Sequence, residues 1–284
     1  MGKAKNLLFT AYLKYFGRIR PDPCTWVFSS TDNRHYNYNS RYLFEYVKDN
    51  LPEITPLFVI NDPELRQKLS EEYGMQYFIE AESISGIRRV LNAGVWFTSA
   101  GLPAYGTNLN KNRLIINLWH GVPLKKIALL DPNLKKVARI YFKNIFSRNY
   151  TCVLTTSHEL IPLMAESFAI SKDKIKVWGQ PRNDGMFQTN DRNKILNDIY
   201  PDLPAYTRTV LYAPTFRDYG QVELFPFKEF DLTQMEAFLE EKKMLLFIRT
   251  HVAEQGSAAP YLGKRIRFLG NQEAEDVTVI LNIF

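Results

Sequence analysis

From residue 24 onward the chain alternates between short β-rich runs and longer helical runs. Several of the β-rich runs are continuous β-branched or aromatic stretches, as expected for strands buried on both faces. Strands are predicted at 25–29, 56–60, 75–79, 95–99, 114–118, 152–156, 176–179, 210–213, 245–249 and 265–269. Helices are predicted at 40–50, 63–73, 83–92, 134–146, 159–168, 192–199 and 233–242. This alternation is typical of parallel sheets with helical crossovers, so an α/β fold is predicted.

The predicted strands form two groups. Those before residue 171 suffice for one doubly wound domain, and a second, shorter alternation follows in the chain of 284 residues. We therefore predict an N-terminal Rossmann-like domain at 24–172 and a C-terminal one at 173–284. The final residues have helical spacing and no strand after them, so we expect the second domain to be incomplete.

Residues 1–23 form a separate basic segment. Positions 1–20 contain no acidic residue. Their basic residues are Lys3, Lys5, Lys14, Arg18 and Arg20. Apolar residues between them follow helical spacing: Leu8, Tyr12, Tyr15 and Ile19. The pattern predicts a basic amphipathic helix of the kind that lies in an anionic membrane interface. A helix packed against its own domain is the alternative.

Composition narrows the classes of partner. The net charge of +6 and the pI of about 9.1 favour anionic partners. Nucleic acid is not favoured, because the basic residues are spread along the chain and no nucleic-acid motif is present. Cys24 and Cys152 are too few for a disulfide scaffold or a cysteine metal site, which fits a reducing cytosol. No apolar run reaches the roughly 20 residues of a membrane-spanning helix.

Several common catalytic motifs are absent from the sequence. It contains no G-x-G-x-x-G, no P-loop, no H-E-x-x-H and no G-x-S-x-G. The commonest dinucleotide-binding, ATPase, zinc-protease and serine-hydrolase interpretations are therefore excluded.

Candidate site residues lie where predicted strands meet loops, the edge at which open α/β sheets bind ligands. In the first junction His120 stands between Trp119 and Gly121, with Lys125 following. A histidine there can act as a general base, because its ordinary pKa lies near neutrality. The alternative is a loop histidine bonded to the backbone.

Three further junctions carry groups that bind anions. These are Arg182 and Asn183 in the second, Thr215 and Arg217 in the third, and Arg249 and His251 in the fourth. The planar fork of arginine suits phosphate oxygens. A domain linker, a surface ion pair and an exposed sheet edge are the respective alternatives. Together the junctions predict transfer from a nucleotide-activated donor.

The motifs W-H-G-x-P-L-K, G-x-P-R-N-D, A-P-T-x-R-D and R-x-H, in this order, resemble those of the CDP-glycerol glycerophosphotransferases. These are teichoic acid primases and polymerases and related capsule enzymes. The resemblance implies a GT-B-like architecture of two Rossmann-like domains facing a cleft. It also implies transfer of glycerol phosphate from CDP-glycerol to a hydroxyl of a membrane-lipid-linked glycan or growing polymer, with release of CMP. Family members continue with a strand and a D-Y-S-S type loop, which supports the expectation of an incomplete donor domain.

The resemblance also implies roles for individual residues. His120 would be the catalytic base. His251, also a catalytic residue, would contact the donor pyrophosphate and stabilise the charge that moves onto the leaving CMP. The donor-binding set would be completed by Arg182, Thr215, Arg217 and Arg249. From their places in the junctions we add Asn183 to that set and assign Trp119, Gly121 and Lys125 to the acceptor side. A solvated charged loop is the alternative for Lys125. No metal-binding cluster is predicted, and Mg²⁺ held through the diphosphate stays open.

The expected location is cytoplasmic, peripheral on the inner face of the bacterial cell membrane. Two alternatives to the transferase stay open. One is a catalytically silent module that binds membrane or partner enzymes. The other is a different GT-B nucleotide-sugar transferase.

Overall fold

The computed structural model describes residues 3–187, 190–214, 224–250, 258–270, 272–274 and 276–284. The chain divides into two compact units, Met1–Arg182 and Asn183–Phe284. Each unit is built around a parallel sheet, so the predicted α/β class is confirmed.

The first unit has a seven-stranded sheet in the order β3-β2-β1-β4-β5-β6-β7. Its strands are β1 (Asp22–Ser29), β2 (Thr55–Val59), β3 (Phe78–Ile79), β4 (Ala93–Thr98), β5 (Leu114–Asn117), β6 (Cys152–Thr155) and β7 (Ile175–Val177). Its helices are α1 (Lys3–Phe16), α2 (Tyr38–Asn50), α3 (Pro63–Tyr73), α4 (Ile84–Leu91), α5 (Lys136–Phe142) and α6 (Ile161–Phe168). The strand order reverses direction at β1, and ligands bind at such a switch point, beyond the carboxyl ends of the strands.

Burial explains why these runs form central strands. Val27 and Phe28 are adjacent in β1 and both fully buried, yet they pack into separate hydrophobic clusters. Successive side chains of a strand point to opposite faces, so both faces of the sheet are covered. Two helices begin at residues typical of helix starts: Asp62 accepts the Leu65 N–H at 2.9 Å, and Ser83 caps α4 in the same way.

Some elements differ in extent from the sequence prediction. The strand predicted at 75–79 is reduced to the two residues of β3. The helix predicted at 134–146 is α5 followed by a π-helical turn at Lys143–Ser147. The helix predicted at 159–168 begins as a 3₁₀ turn and continues as α6.

Strand β7 lies at the edge of the first sheet, whereas the sequence pattern assigned residues 173–182 to the second domain. Ile175 pairs with Val153 of β6, and Trp178 N–H donates to the Thr155 carbonyl at 3.2 Å. The division between the units follows Arg182 rather than residue 172. A strand is assigned to a sheet by its pairing partner, which the local sequence pattern does not specify.

Helix α1 packs on the first unit, as in the second interpretation of its sequence. Asn6, Thr10, Leu13 and Gly17 are spaced along one face and are buried. Asn6 Nδ2 donates to the Ala81 carbonyl at 2.9 Å. The residues that suggested an apolar stripe face outward instead: Leu8 is 69% exposed, Tyr12 54% and Tyr15 75%. The helix therefore docks through a mostly polar or small face and presents aromatic side chains to solvent.

The second unit has a three-stranded parallel sheet in the order β10-β9-β8. Its elements are α7 (Arg192–Ile199), β8 (Arg208–Tyr212), α8 (Leu232–Glu241), β9 (Met244–Ile248) and β10 (Ile266–Phe268). The predicted terminal helix is present as a 3₁₀ helix at Val277–Ile283, and Thr209 Oγ1 donates to the Ile283 carbonyl at 2.5 Å. Within the described ranges, no helix is long and apolar enough to cross a bilayer.

Candidate active site

The candidate site lies just beyond the carboxyl end of β5, where the backbone turns sharply at Trp119. This residue has a φ of +56°, which a bulky side chain rarely adopts. Its N–H donates to Asn117 Oδ1 at 2.9 Å, and its ring packs edge-on against Phe168 with centroids 5.1 Å apart. Such a conformation costs about 1 to 3 kcal/mol, is maintained by the surrounding packing and occurs often at functional sites. The turn places His120 at the sheet edge.

The His120 ring is held in one orientation and one tautomer. Its Nδ1 lies 2.8 Å from the Ser99 carbonyl oxygen. A carbonyl only accepts, so Nδ1 carries the proton and Nε2 keeps its lone pair. The ring stacks on Tyr38, with ring centroids 5.1 Å apart. It also contacts the Trp119 ring, with centroids 4.0 Å apart. This is the protonation pattern that a general base needs.

Three influences act on the pKa of His120. Burial lowers it, the hydrogen bond to the Ser99 carbonyl raises it in part, and the positive charge of Arg182 lowers it again. The net result is a pKa of His120 below its ordinary value of 6.5. The imidazole is therefore neutral at pH 7 and able to accept a proton.

Asn39 joins the two loops of the site. It is fully buried at the start of α2, and its Nδ2 donates to the carbonyls of Leu118 (3.4 Å) and Trp119 (2.8 Å). Its Oδ1 accepts the backbone N–H of Arg182 at 3.3 Å. One amide side chain thus binds the loop that carries His120 and the loop that carries Arg182.

Ser40 and Ser99 complete this support. Both are fully buried, and their hydroxyl oxygens lie 2.8 Å apart. The Ser40 N–H also donates to Ser99 Oγ at 2.9 Å. Asn39, Ser40 and Ser99 were not among the predicted site residues. Asn39 and Ser40 resemble ordinary residues of a helix start, and Ser99 resembles an ordinary loop serine after β4, so the local sequence did not point to this role.

Arg182 lies beside His120, within the first unit, although the sequence placed it in the donor domain. A side chain at Gly121 would bring a Cβ to 3.9 Å from Arg182 Nη2, so the guanidinium lies against the W-H-G loop. Its Nε is buried and forms no hydrogen bond with any residue that the structure describes. The side chain as a whole is half-buried, and the planar donors of a guanidinium suit phosphate oxygens.

The other predicted site residues have varied settings. Lys125 is exposed and Asn183 is half-buried at the start of the second unit. Arg249 Nη1 donates to the carbonyls of Leu269 (3.1 Å), Gly270 (3.0 Å) and Ala274 (3.0 Å), so it supports the backbone after β10. Three predicted residues lie outside the described residues: Thr215, Arg217 and His251.

The basic residues of the N-terminal segment also differ from one another. Lys5, Arg18 and Arg20 are exposed, and Lys3 is the first residue of α1. Lys14 is half-buried and donates from Nζ to the Thr107 carbonyl at 2.7 Å. As for metals, no group of three or more histidine, cysteine or acidic residues suited to an ion occurs in the described part of the chain.

A family profile described as CDP-Glycerol:Poly(glycerophosphate) glycerophosphotransferase matches residues 12–284. The chain belongs to this family. The teichoic acid poly(glycerol phosphate) polymerase of Bacillus subtilis (strain 168) is 24% identical over 99% of the chain. The teichoic acid ribitol-phosphate polymerase TarK of Staphylococcus aureus (strain NCTC 8325 / PS 47) is 24% identical over 79% of it. The chain spans 39% of the first relative's length and 46% of the second's.

The chain shares its fold with solved structures of the wall teichoic acid polymerase TagF. One variant of TagF superposes with a TM-score of 0.73, at 22% identity over 98% of the chain and 68% of TagF. Another gives a TM-score of 0.69, at 20% identity over 93% of the chain and 65% of TagF. The GT-B-like α/β class predicted from the sequence is thereby confirmed.

Proposed function

We propose that the chain transfers glycerol phosphate from CDP-glycerol to a hydroxyl of a teichoic acid polymer or its membrane-lipid-linked glycan, releasing CMP. The observation that carries this proposal is the setting of His120. Its Nδ1 is committed to the Ser99 carbonyl, and burial lowers its pKa. In a member of this family, that combination supports a general base with Nε2 as the proton acceptor.

In the proposed step, the acceptor hydroxyl oxygen attacks the phosphorus that bears the glycerol. A new P–O bond forms, and the P–O bond to CMP breaks. CMP leaves with the bonding electron pair, and the hydroxyl proton moves to Nε2 of His120. Arg182 donates from its guanidinium to a phosphate oxygen, which offsets charge in the transition state. From the sequence motifs, Arg217 and His251 are proposed to contact the donor diphosphate.

The assignments of the remaining motif residues are also proposals. Trp119 and Gly121 shape the acceptor side through the W-H-G turn, and Lys125 attracts an anionic acceptor. Thr215 and Asn183 contact the donor. Arg249 reaches the donor indirectly, through the backbone carbonyls that it holds after β10.

Glycerol phosphate is proposed as the transferred group because the family description names CDP-glycerol. Relatives include both a poly(glycerol phosphate) polymerase and a ribitol-phosphate polymerase. Donor choice therefore needs a direct comparison, with CDP-glycerol, CDP-ribitol and UDP-glucose each offered alongside a lipid-linked acceptor ending in glycerol phosphate.

The released nucleotide is the measurement that tests the proposal: CMP from CDP-glycerol or CDP-ribitol, and UDP from UDP-glucose. His120→Gln is the impaired comparison. We expect turnover with CDP-glycerol that the substitution lowers about 10²- to 10⁴-fold. Turnover with UDP-glucose alone would establish a different nucleotide-sugar transferase. No turnover with any donor, in a chain that still binds vesicles, would establish a silent binding module.

We also propose that the protein lies on the inner face of the cell membrane, where a lipid-linked acceptor is available. The outward face of α1 carries exposed Tyr15 (75%) and Phe16 (74%) among basic residues, a composition that suits the lipid interface. Vesicle sedimentation tests this with the double substitution Tyr15→Ser and Phe16→Ser. Tyr46→Ser, at an exposed tyrosine of α2, is the matched control. Equal binding by the two variants would contradict the proposal.

A further inference from the structure

A basic pocket lies at the amino end of the first sheet, beside the end of α1. Its volume is about 190 Å³, enough for about six water molecules at about 30 Å³ each and therefore for a phosphate group. Lys14, Lys111 and Arg113 line it, together with the polar residues Asn108 and Asn112. Nothing in the proposed reaction uses these residues.

The three cations lie close together without acidic partners. Burial lowers the pKa of Lys14, and the positive charges of Lys111 and Arg113 lower it further. Lys14 Nζ donates to a neutral carbonyl, that of Thr107. Across the described ranges of the chain, no carboxylate forms a salt bridge with any of the three. Clustered like charges are unfavourable, and a bound anion relieves the repulsion.

Arg113 is the fixed part of the pocket. It is only 9% exposed, its Nε donates to the Ala93 carbonyl at 3.3 Å, and its Nη2 donates to the Leu91 carbonyl. The guanidinium lies over the Trp96 ring, 4.7 Å from its centroid. Burial without a carboxylate partner lowers its pKa to about 10, which leaves it charged at pH 7. The pocket therefore presents a preorganised cation, and preorganisation favours tight binding of a small anion.

We propose that Lys14, Lys111 and Arg113 form a phosphate-binding site for the headgroup of an anionic phospholipid. The site rests on the membrane association proposed above. A lipid is favoured over a soluble phosphate because exposed Tyr15 and Phe16 directly follow Lys14, whose Nζ lies 5.9 Å from the Tyr15 ring centroid. The aromatic residues that would enter the lipid interface and the cations that would bind the headgroup then lie together, at the carboxyl end of α1.

This site is separate from the candidate active site. Arg113 directly precedes β5, and His120 follows its other end. The four residues of β5 span about 13 Å, at about 3.3 Å per residue. The headgroup site therefore lies at the amino edge of the sheet, whereas His120 lies at the carboxyl edge.

Vesicle binding tests the site with Lys111→Gln, and Lys68→Gln at an exposed lysine of α3 is the matched control. Both substitutions remove one positive charge from the same unit. The vesicles are phosphatidylcholine alone and phosphatidylcholine mixed with phosphatidylglycerol. Loss of a charge-assisted contact to phosphate is expected to weaken binding to the mixed vesicles about tenfold for Lys111→Gln. Lys68→Gln should change it less than about twofold, because it contributes only to the general surface charge.

Equal losses for the two variants would show general electrostatic attraction and would overturn the site. Soluble glycerol 3-phosphate tests whether the site instead binds a small soluble phosphate compound. If it raises the melting temperature of the unmodified chain but not of Lys111→Gln, while vesicle binding is the same for both, the lipid assignment is overturned. Binding to neither kind of vesicle by the unmodified chain would refute the membrane association itself. Binding to both kinds without preference, lost on substitution of Tyr15 and Phe16, would leave that association standing and refute only the headgroup site.

Discussion

The Nδ1 atom of His120 lies 2.8 Å from the carbonyl oxygen of Ser99. This contact joins the loop after β5 to the loop after β4, which are neighbouring strands of the sheet. It fixes which imidazole nitrogen carries the proton, and Ser99 is in turn bonded to Ser40 at the start of α2. The reactive nitrogen is thus set by a backbone carbonyl that is itself held by a buried hydroxyl pair.

Replacing His120 with glutamine should lower turnover about 10²- to 10⁴-fold, the usual contribution of a general base. Glutamine can still donate to the Ser99 carbonyl, so little stability should be lost. The measurement is CMP release together with the melting temperature. His158→Gln, at an exposed histidine, is the control and should retain full activity. Full activity in the His120 variant would remove this residue from the mechanism.

The acidic limb of the profile of kcat/KM against pH should lie below pH 6.5. The pKa of His120 is below its ordinary value of 6.5, so the base stays unprotonated until the pH falls beneath that value. Arg182→Gln removes one cause of the lowering, so the limb should move to higher pH. Arg182→Lys keeps the charge and should leave the limb near its original position. A limb that is unmoved in Arg182→Gln would show that the guanidinium does not act on His120.

Asn39→Ala should lower kcat by up to about 10²-fold, because it releases the two loops that carry His120 and Arg182. Asn149 offers a close control. It is also fully buried, its Nδ2 donates to the carbonyls of Gly106 and Ile145, and its Oδ1 accepts from Leu109 N–H. Each alanine variant should lose about 1 to 3 kcal/mol of unfolding free energy, measured by denaturant titration. Equal kcat values for the two would reduce Asn39 to a structural residue.

Arg249→Met should destabilise the second unit by about 2 to 3 kcal/mol, because three carbonyls after β10 lose their charged donor. Arg208→Met, at an exposed arginine of β8, should change stability by less than about 0.5 kcal/mol. Amide hydrogen exchange of residues 266–270 and 272–274 reports the loss. Unchanged exchange with weakened CDP-glycerol binding would favour a direct donor contact instead.

Leu13→Ala should destabilise the first unit by about 2 to 5 kcal/mol, because Leu13 is fully buried between α1 and the domain. Leu8→Ala removes the same atoms from a residue that is 69% exposed and should be nearly neutral. Denaturant titration and protease sensitivity of α1 measure the difference. Similar values for the two would mean that α1 is not docked in solution.

Local patterns in the sequence predicted much of the fold and part of the site. Alternating β-rich and helical runs gave the class and most of the elements, because burial of strands and helices leaves a period in the chain. The position of His120 after a strand followed from the rule for open α/β sheets. Those inferences depend on residues close together along the chain.

Only the tertiary structure decided three features of the protein. They are the membership of β7 in the first sheet, the face through which α1 docks, and the bridge that Asn39 makes between two loops. The face of α1 that is buried contains Asn6 and Thr10, whose polar groups find partners inside, so hydropathy indicated the opposite face. Asn39 and Arg182 are 143 positions apart, and nothing local links them. The sequence by itself determined which segments are strands and helices and where a reactive histidine stands. Pairing, packing and long-range hydrogen bonds determined what holds that histidine, because they depend on contacts between residues far apart along the chain.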